Sequence, residues 1–317
     1  MGYEKMNDVT IGIDISKAFL DVATYPDGEI LQFSNGKPGL KALVKCLKVR
    51  AVSLVVFEAT GSYHKALETA LDQAGVAFAK VNPLRAKRFA QATGQLAKTD
   101  RADALSLARY AAVIRPSATC IKPQNLEVLH EMVMARLALT KESAATKTRL
   151  KTMKNSFLIK KFQGKLRQVE KDVADIDAEC FKLVKEDHDL SRRFDILSSV
   201  PGLGQVSIMT MLTEMPELGS MDKRQAAALA GLAPITRQSG TWTGKSFTGG
   251  GRSILRKALY MPALVAARFN KYLKAKYDGL IRRGKPAKIA LTAIMRNIIV
   301  IANALIRDNR LWNQNRV

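Results

Sequence analysis

The stretch VTIGIDISKAFLDVATYPDGEILQFS, residues 9–34, decides the fold of the first part of the chain. It contains three β-rich runs, VTIGIDI, FLDVATY and EILQFS, and the turn signal PDG separates the last two. Runs of this kind between turn residues predict consecutive antiparallel strands. Asp14 follows the β-branched residues of the first run, so its carboxylate is expected at an exposed end or edge of a central strand.

After residue 34 the apolar residues change from alternation to helical spacing. GLKALVKCLKV and HKALETALDQAG predict helices, whereas VSLVVFEA and VAFAKV predict buried strands. A further helix is predicted at about 101–113. A three-stranded meander followed by helix, strand, helix, strand and helix is the element order of a ribonuclease-H-like α/β domain, although strand alternation alone fits several α/β folds.

The remainder of the chain is predicted to be mostly helical. Residues 124–190 are nearly free of Gly and Pro and carry apolar residues at helical spacing, which predicts two long helices that form a coiled coil. From residue 191 onward glycines punctuate the helical pattern. We therefore predict three parts: a catalytic domain at 1–118, a helical coiled-coil linker at 119–190 and a C-terminal domain at 191–317.

The net charge of +23 and the pI near 10 predict attraction to a polyanion. Nucleic acid is the default partner for such a charge, and an anionic membrane is the alternative. The charge is uneven: residues 223–317 hold 19 basic and two acidic side chains, whereas residues 1–120 hold 16 and 11. The C-terminal third is therefore expected to be the stronger electrostatic contact with nucleic acid.

Several classes of protein are disfavoured by the sequence. Three scattered cysteines offer neither CxxC spacing nor a disulfide framework, which indicates a reducing compartment and no zinc site. The N-terminus lacks an apolar signal core. The most apolar segment, NIIVIANALI, is about half of the roughly 20 residues that a membrane span needs. We therefore expect a cytoplasmic protein with no membrane partner.

Four carboxylates are candidates for a metal site. Asp14 and Glu58 each end a predicted strand, and Asp100 and Asp103 lie one helical turn apart and share a face. A ribonuclease-H-like order brings all four to one rim of the sheet, where they repel one another unless a cation is bound. Hard oxygen ligands favour Mg²⁺ (or Mn²⁺), and such clusters suit displacement at phosphorus. Taken singly, each acid is more simply a helix cap or a strand-end charge.

Two other nucleotide-related hypotheses fit the sequence less well. GTWTGKS resembles a phosphate loop, but it has three residues between its glycines where the motif needs four, and no strand precedes it. The GxD start would also suit an actin-like ATPase or a sugar kinase. Such enzymes usually lack the helical acid pair and have no need of the high positive charge.

The C-terminal third contains two candidate nucleic-acid contacts. LSSVPGLGQVSIMTMLTEM, from Leu197, has the turn of a helix-hairpin-helix, in which Gly202 and Gly204 let backbone N–H groups approach a phosphate. A purely structural helical hairpin is the alternative. Further on, a loop rich in Gly, Ser and Thr holds Ser239, whose hydroxyl is a candidate nucleophile, although Ser246 and Ser253 lie nearby.

Basic residues next to these motifs are candidate phosphate contacts. The run from Lys147 to Lys171 has nine basic residues and one acid, which is too one-sided for a salt-bridged face, although a solvated helix surface is an equal alternative. The predicted nucleic-acid contacts are Arg85, Lys87, Arg88, Lys151, Lys154, Arg237, Lys245 and Arg252.

The motifs IGIDISK, FEATGSY, VNPLRAKRFA, KTDRADA, VPGLG, AGLAP, RQSG and LRKALYMPA occur in this order. In order and spacing they resemble the Piv/MooV family, the DEDD-type insertion-sequence transposases that are similar to the Piv pilin-gene invertase. The resemblance covers nearly the whole chain. It implies a RuvC-like first domain whose tetrad maps to Asp14, Glu58, Asp100 and Asp103, and a nucleophilic serine that maps to Ser239.

The resemblance also implies a mechanism and partners. In the family the serine forms a covalent phosphoserine link to DNA, and the carboxylates hold Mg²⁺ in a composite site shared between subunits. In the family, a structured noncoding RNA from the element guides the recombinase to double-stranded donor and target DNA. Exchange of four DNA strands implies a homo-oligomer of at least two subunits, and the resemblance implies a tetramer. The expected location is the nucleoid region of a bacterial or archaeal cytoplasm. The loop after RQSG is shorter than in relatives, so Lys245 and Arg252 are placed less firmly than Ser239.

Three hypotheses remain open. The leading one is a transposase that cuts and rejoins DNA through Ser239 with metal held by the four acids, which needs no nucleotide cofactor because phosphoserine conserves the energy of the phosphodiester. The second is a RuvC-like, metal-dependent junction endonuclease that uses water. The third is a non-catalytic nucleic-acid-binding protein with inert acids.

Overall fold

The computed structural model describes residues 9–59, 61, 63–95, 99–119, 121, 123–244 and 246–313. Contacts within the chain divide it into two units, Met1–Lys122 and Pro123–Val317. By the same contacts, the helices predicted as a separate linker at 119–190 group with the C-terminal unit. The three-part division of the chain stays a prediction.

Unit 1 contains one mixed five-stranded sheet. Its strands are β1 (Thr10–Ile15), β2 (Phe19–Tyr25), β3 (Ile30–Ser34), β4 (Leu54–Glu58) and β5 (Phe78–Val81). They lie in the order β3-β2-β1-β4-β5; β2 is antiparallel to both of its neighbours, and β1, β4 and β5 are parallel. The predicted meander and the two later strands are confirmed.

Four helices accompany the sheet: α1 (Lys37–Val49), α2 (Lys65–Gln73), α3 (Pro83–Ala92) and α4 (Asp100–Ile114). Three of them were predicted, but α3 was not. The Asn82 side chain accepts a hydrogen bond from the backbone N–H of Leu84, and Pro83 occupies the first helical position. An Asn-Pro pair is a helix-start signal that should have predicted α3.

The sheet is covered on both faces. Ile11, Ile13 and Ile15 point to one face, where they pack in a core with side chains of α1 and α2. Gly12 points to the other face, where α4 lies so close that a Cβ added at this glycine would be 2.0 Å from the carbonyl oxygen of Ala104. Since successive residues of a strand point to opposite faces, Asp14 lies on the α4 side with Gly12.

Unit 2 begins with two long helices, α5 (Gln124–Leu150) and α6 (Ser156–Glu186), which pack against each other. Three ion pairs join them, among them Lys147 with Glu170 at 2.8 Å and Lys165 with Glu142 at 2.6 Å. The two long helices were predicted. The basic run nevertheless takes part in intramolecular ion pairs that its one-sided charge disfavoured, because α5 supplies Glu142 to the basic face of α6.

Seven further helices complete unit 2 within the described residues: α7 (His188–Ser198), α8 (Gln205–Glu214), α9 (Lys223–Leu229), α10 (Ser253–Ala258), α11 (Tyr260–Phe269), α12 (Lys271–Arg282) and α13 (Ala287–Arg307). Side chains from most of these helices and from α5 and α6 share one hydrophobic core. The C-terminal region is therefore mostly helical, as predicted.

α13 is longer than its apolar segment suggested. In the described part of the chain it is the one helix that is long and apolar enough to cross a membrane, and more than half of its most apolar window is buried inside unit 2. Ile294, Ile298 and Leu305 of this helix lie in the core. Core packing of this kind accounts for the apolar composition of α13.

The Gly, Ser and Thr-rich segment between α9 and α10 forms a β structure that the sequence did not predict. Four two-residue strands, β6 (Pro234–Ile235), β7 (Gln238–Ser239), β8 (Trp242–Thr243) and β9 (Phe247–Thr248), pair as β6 with β9 and β7 with β8. We call residues 234–248 the hairpin arm. Two-residue strands are too short to show alternation, so only a loop was expected.

Candidate active site

Asp14 and Glu58 lie at the same edge of the sheet. Ile13 of β1 pairs with Phe57 of β4 in parallel register, and each acid follows its paired residue. The carboxyl ends of parallel strands meet at one edge, so the two acids are neighbours there. Both side chains are half-buried.

Asp100 and Asp103 lie in the first turn of α4, where Thr99 is the N-cap and its hydroxyl accepts a hydrogen bond from the N–H of Ala102 at 3.2 Å. Asp100 is therefore not the cap itself. The helix runs against β1 at Gly12, two residues before Asp14 and on the same face. This packing brings the start of α4 to Asp14.

The pKa of Asp14 is raised by its position next to the start of α4. Burial, followed by the negative charges of Asp100 and Asp103, raises the pKa of Asp14 from 3.8 to about 6, against a lowering hydrogen bond from the backbone of Ile15. A carboxylate shifts in this way when like charges lie within a few ångströms and water is partly excluded. Three of the four predicted carboxylates are thus within electrostatic reach of one another.

The acids have the donor chemistry of a metal site without forming a closed one. Among the described residues, no three His, Cys, Asp or Glu side chains converge tightly enough to hold a metal ion. Gln95 donates a hydrogen bond from Nε2 to Oδ1 of Asp103 at 3.1 Å. The oxygen ligands and the mutual repulsion fit a divalent cation, because a cation would relieve the repulsion that raises the pKa of Asp14.

Asp21 is a fifth carboxylate that the sequence analysis missed. It lies on β2 directly opposite Asp14, so the two side chains share a face, and its charge also raises the pKa of Asp14. Asp21 is 5% exposed, and its Oδ1 accepts a hydrogen bond from Nε2 of Gln32 at 2.9 Å. The sequence around Asp14 and Asp21 could have predicted that the two carboxylates are neighbours only if the register of β1 with β2 had been known.

Asn35 joins the two loops that follow β1 and β4. Its side-chain amide donates to the carbonyl oxygen of Ser16 at 2.9 Å and to that of Tyr63 at 3.2 Å. Ser16 comes two residues after Asp14, and Tyr63 lies in the loop that begins after Glu58. Asn35 therefore holds together the chain segments that present two of the four acids.

Ser239 belongs to unit 2 and lies on β7 of the hairpin arm. Its side chain is exposed, and the residue pairs with Trp242 across a two-residue loop in which Gly240 has a φ of +54°. Glycine adopts that backbone conformation without strain. In the part of the chain that the structure describes, the Ser239 hydroxyl donates no hydrogen bond to a His, Asp or Glu side chain.

The base of the hairpin arm is fixed by close backbone contact. A Cβ added at Gly251 would be 2.3 Å from the backbone nitrogen of Gly231, so both glycines are needed for the chain segments to approach. The Arg256 side chain donates to the carbonyl oxygens of Gly231 and Gly250. The AGLAP motif and the GGG run thus form the base of the arm on which Ser239 lies.

Five of the predicted phosphate contacts have exposed side chains outside the hairpin arm. Arg85, Lys87 and Arg88 are exposed on α3, and Lys151 and Lys154 are exposed in the turn between α5 and α6. All of these are accessible to nucleic acid. Lys245 lies outside the described residues.

Arg237 and Arg252 differ from each other. Arg237 is exposed, and its guanidinium lies over the ring of Phe247, 4.9 Å from the centroid. Arg252 instead makes a bidentate ion pair with Glu217, with both distances at 2.7 Å, and donates to the carbonyl oxygen of Glu214. The Arg252 guanidinium is therefore occupied inside unit 2.

The two glycines of the VPGLG motif also have separate roles. Gly202 has a φ of +104°, and a Cβ there would be 3.1 Å from the backbone nitrogen of Ala266, so it allows α11 to pack against this turn. Gly204 is exposed as the N-cap of α8 and has open space around it. Of the two, Gly204 has room for a phosphate.

Known proteins are similar to both units. Residues 11–157 match the family model DEDD_Tnp_IS110, described as a transposase, and residues 194–278 match the model of the Transposase IS116/IS110/IS902 family. The pilin gene-inverting protein of Moraxella lacunata is 28% identical over 324 residues, which cover 98% of this chain and 99% of that protein. An uncharacterized 43.6 kDa protein of insertion element IS110 from Streptomyces coelicolor is 30% identical over 129 residues, 40% of this chain and 31% of its own.

A solved structure of RuvC from Thermus thermophilus covers 36% of this chain and 99% of its own, with 16% identity and a TM-score of 0.26, which is too low to support a conclusion. The two family models match successive parts of the chain and name the same transposase family. The chain therefore belongs to the IS110 family of insertion-sequence transposases and is a DNA transposase or recombinase.

Proposed function

We propose that this enzyme cuts and rejoins donor and target DNA through a covalent phosphoserine at Ser239. The acidic site that supports this chemistry consists of Asp14, Glu58, Asp100 and Asp103. The observation that carries the proposal is the meeting of Asp14 with the first turn of α4, where burial of Asp14, followed by the negative charges of Asp100 and Asp103, raises the pKa of Asp14 to about 6. Capping and strand-end charges do not require three acids to face one another.

The proposed step is a transesterification. The Ser239 oxygen forms a bond to phosphorus while the bond from phosphorus to a deoxyribose oxygen breaks; the serine gives up its proton, and the leaving oxygen gains one. In the second step a deoxyribose hydroxyl of another strand attacks the phosphoserine and releases Ser239. The number of phosphodiester bonds is unchanged, so no nucleotide cofactor is required.

The four acids are the proposed holders of a divalent ion, Mg²⁺ or Mn²⁺. When bound, such an ion neutralises charge that builds up on phosphate oxygens. The residues contribute by position: Asp14 and Glu58 end neighbouring strands, and α4 adds two acids one turn apart. Asn35 positions the loops that follow β1 and β4, and Asp21 adds a fifth carboxylate on the face that carries Asp14.

The remaining parts of the proposal concern partners. Exposed cations on α3, at the turn between α5 and α6, and at Arg237 would hold DNA phosphates, with Gly204 in a helix-hairpin-helix turn. A structured RNA from the element would select donor and target. The enzyme would act at the nucleoid in the cytoplasm as a dimer or tetramer, with the acids and the serine in a site shared between subunits.

A metal-dependent nuclease that uses water is the second candidate. One observation favours it: in the described residues, no acidic or histidine side chain is hydrogen-bonded to Ser239. The acids would then act on water, and Ser239 would be an ordinary residue of an exposed loop. The two candidates differ in whether protein becomes attached to DNA.

A denaturing gel tests the proposal. The protein is incubated with Mg²⁺, RNA transcribed from the DNA that flanks its gene, and labelled donor and target DNA. We expect labelled DNA attached to protein, lost in Ser239→Ala and kept in Ser246→Ala, the matched serine of the same arm. Cleaved DNA with no attached protein, unchanged by Ser239→Ala, would establish the water mechanism instead.

A further inference from the structure

The hairpin arm exposes large apolar side chains next to the proposed nucleophile. Trp242 is 59% exposed, and Phe247 and Ile235 are 43% and 42% exposed. Leaving so much apolar surface in water is unfavourable, and a group of such side chains marks a surface that binds something. The arm therefore offers an apolar binding surface in addition to the Ser239 hydroxyl.

Trp242 is placed beside Ser239 by strand pairing. The two residues are directly opposite each other in the β7–β8 ladder. Directly opposed residues of an antiparallel pair point to the same face, with their Cβ atoms about 5 Å apart. The indole and the hydroxyl therefore share one face of the arm.

Gly244 holds the indole in place. A Cβ added at Gly244 would lie 2.4 Å from the Cη2 atom of Trp242 and 2.9 Å from its Cζ3 atom. The six-membered part of the indole thus occupies the space that any other residue at position 244 would fill. The ring rests on backbone on one side and is open to solvent on the other.

The arm also carries positive charge. Arg237 is paired through its carbonyl oxygen with the N–H of Gly244, and its guanidinium lies over Phe247, which pairs with Ile235. No Asp or Glu occurs between Lys223 and Tyr277 in the sequence. Exposed aromatic rings and an arginine on one short β structure, in a stretch of sequence without acids, are a combination by which proteins bind nucleobases and phosphates together.

We propose that Trp242 is a stacking platform for a nucleobase of the DNA strand that Ser239 attacks. The inference rests on the proposed role of Ser239 and adds what positions the strand: the indole holds a base that has left the duplex stack, and Arg237 binds the adjoining phosphate. Stacking of one base on an aromatic side chain strengthens binding about tenfold or more. Because every base has an aromatic face, the platform itself is not selective for sequence.

Fluorescence measures this stacking without any cleavage. Full-length protein with Ser239→Ala is mixed with the flanking-region RNA and with DNA of the element's own ends, in which 2-aminopurine replaces one base at a time. We expect quenching at one position, a loss of quenching and about tenfold weaker binding in Trp242→Ala, and recovery of most of both in Trp242→Phe. Gly244→Ala, which keeps the tryptophan but displaces its ring, is expected to weaken the quenching.

Phe269→Ala is the matched control, because Phe269 is 74% exposed on α11 of the same unit. It is expected to change nothing. Quenching that survives Trp242→Ala would overturn the proposal. A loss of quenching in Phe269→Ala as large as that in Trp242→Ala would also overturn it, because the effect would then not be specific to Trp242. Quenching that depends on Trp242 only when 2-aminopurine is in the RNA would assign the platform to RNA and overturn it for DNA.

The outcomes separate this inference from the proposed function. If no protein–DNA adduct forms but quenching still depends on Trp242, the phosphoserine is wrong and the platform stands. If the adduct forms at Ser239 but quenching is independent of Trp242, the phosphoserine stands and the platform is wrong.

Discussion

The acidic site and the hairpin arm are built in opposite ways. The acidic site stands on strands of six and five residues and on a helix that packs against β1 at Gly12, so its acids are held by the core of unit 1. The strands of the arm have two residues each, and all of their residues are exposed. Rigid packing fixes the acids, whereas a few backbone contacts fix the serine.

This difference has a physical meaning. Bringing like charges together requires a scaffold that resists their repulsion, and the close packing of a sheet with a helix supplies it. A nucleophile on an exposed arm with few buried contacts is more easily displaced. Contact with DNA is therefore expected to position Ser239, whereas the acids are positioned before DNA binds.

The largest expected effect is that of Asp14→Asn. If Asp14 holds the cation as proposed, its removal is expected to slow strand cleavage by on the order of a thousandfold, measured with labelled DNA. The folded protein is expected to become more stable at pH 8 in metal-free buffer, because burial and like charges make ionised Asp14 unfavourable. Loss of activity with no gain in thermal stability would show that ionisation of Asp14 does not destabilise the folded protein.

The pH dependence follows from the direction of the shift. The pKa of Asp14 is about 6 in the folded protein and 3.8 in an ordinary aspartate, so ionisation opposes folding. This cost is absent below about pH 4 and grows as the pH rises to 6. The melting temperatures of Asp14→Asn and the unaltered protein should therefore coincide near pH 4 and diverge by pH 8.

Gly12→Ala tests the scaffold itself. The added methyl group meets backbone atoms of α4, which no side-chain rotation can relieve, so we expect a loss of roughly 3 kcal/mol in the free energy of unfolding. Gly164→Ala in α6, where nothing lies within 4 Å, is the control and should gain about 0.5–1 kcal/mol. Equal stability of the two variants in denaturant unfolding would contradict the close packing of α4 on β1.

Asn35→Ala is expected to have a smaller effect on cleavage. It frees the two loops that its amide joins, so cleavage should fall about tenfold as the acids lose their spacing. The control is Asn155→Ala, which removes the N-cap of α6. It should lower the free energy of unfolding by about 1 kcal/mol and leave cleavage unchanged. If both variants lose cleavage equally, Asn35 acts only through stability.

Arg252→Ala is expected to have the smallest effect. Its ion pair with Glu217 is about one-third exposed, so the substitution should cost about 1 kcal/mol of unfolding free energy. The salt dependence of DNA binding should not change, whereas Arg237→Ala should lower its slope by about one. A lower slope for Arg252→Ala would restore this residue as a phosphate contact.

The sequence was most informative where chain segments are long and regular. The strands of unit 1 were predictable because alternating and helical runs mark elements. The positions of the four acids followed from these elements, because each acid lies near the end or the start of one. Asp21 was missed because its place opposite Asp14 depends on strand register, which a one-dimensional pattern does not contain. The same reason hid the pairing of Trp242 with Ser239.

Contacts distant in sequence also give other roles to two residues that were predicted to bind nucleic acid. Arg252 looked like a free cation in a loop, but Glu217, 35 residues earlier, neutralises it. Gly202 looked like part of a phosphate-binding turn, but α11 packs on it. Composition gives the charge of a segment, and only the fold tells which of its charges are already paired.

The measurement that tests the central claim most directly is mass spectrometry of the protein–DNA adduct. The protein is trapped on donor DNA, the DNA is digested to a nucleotide remnant, and the peptides are sequenced. The remnant is expected on Ser239, and Asp14→Asn should yield none. A remnant on Ser246, on Ser253 or on no serine while DNA is still cleaved would contradict the phosphoserine mechanism.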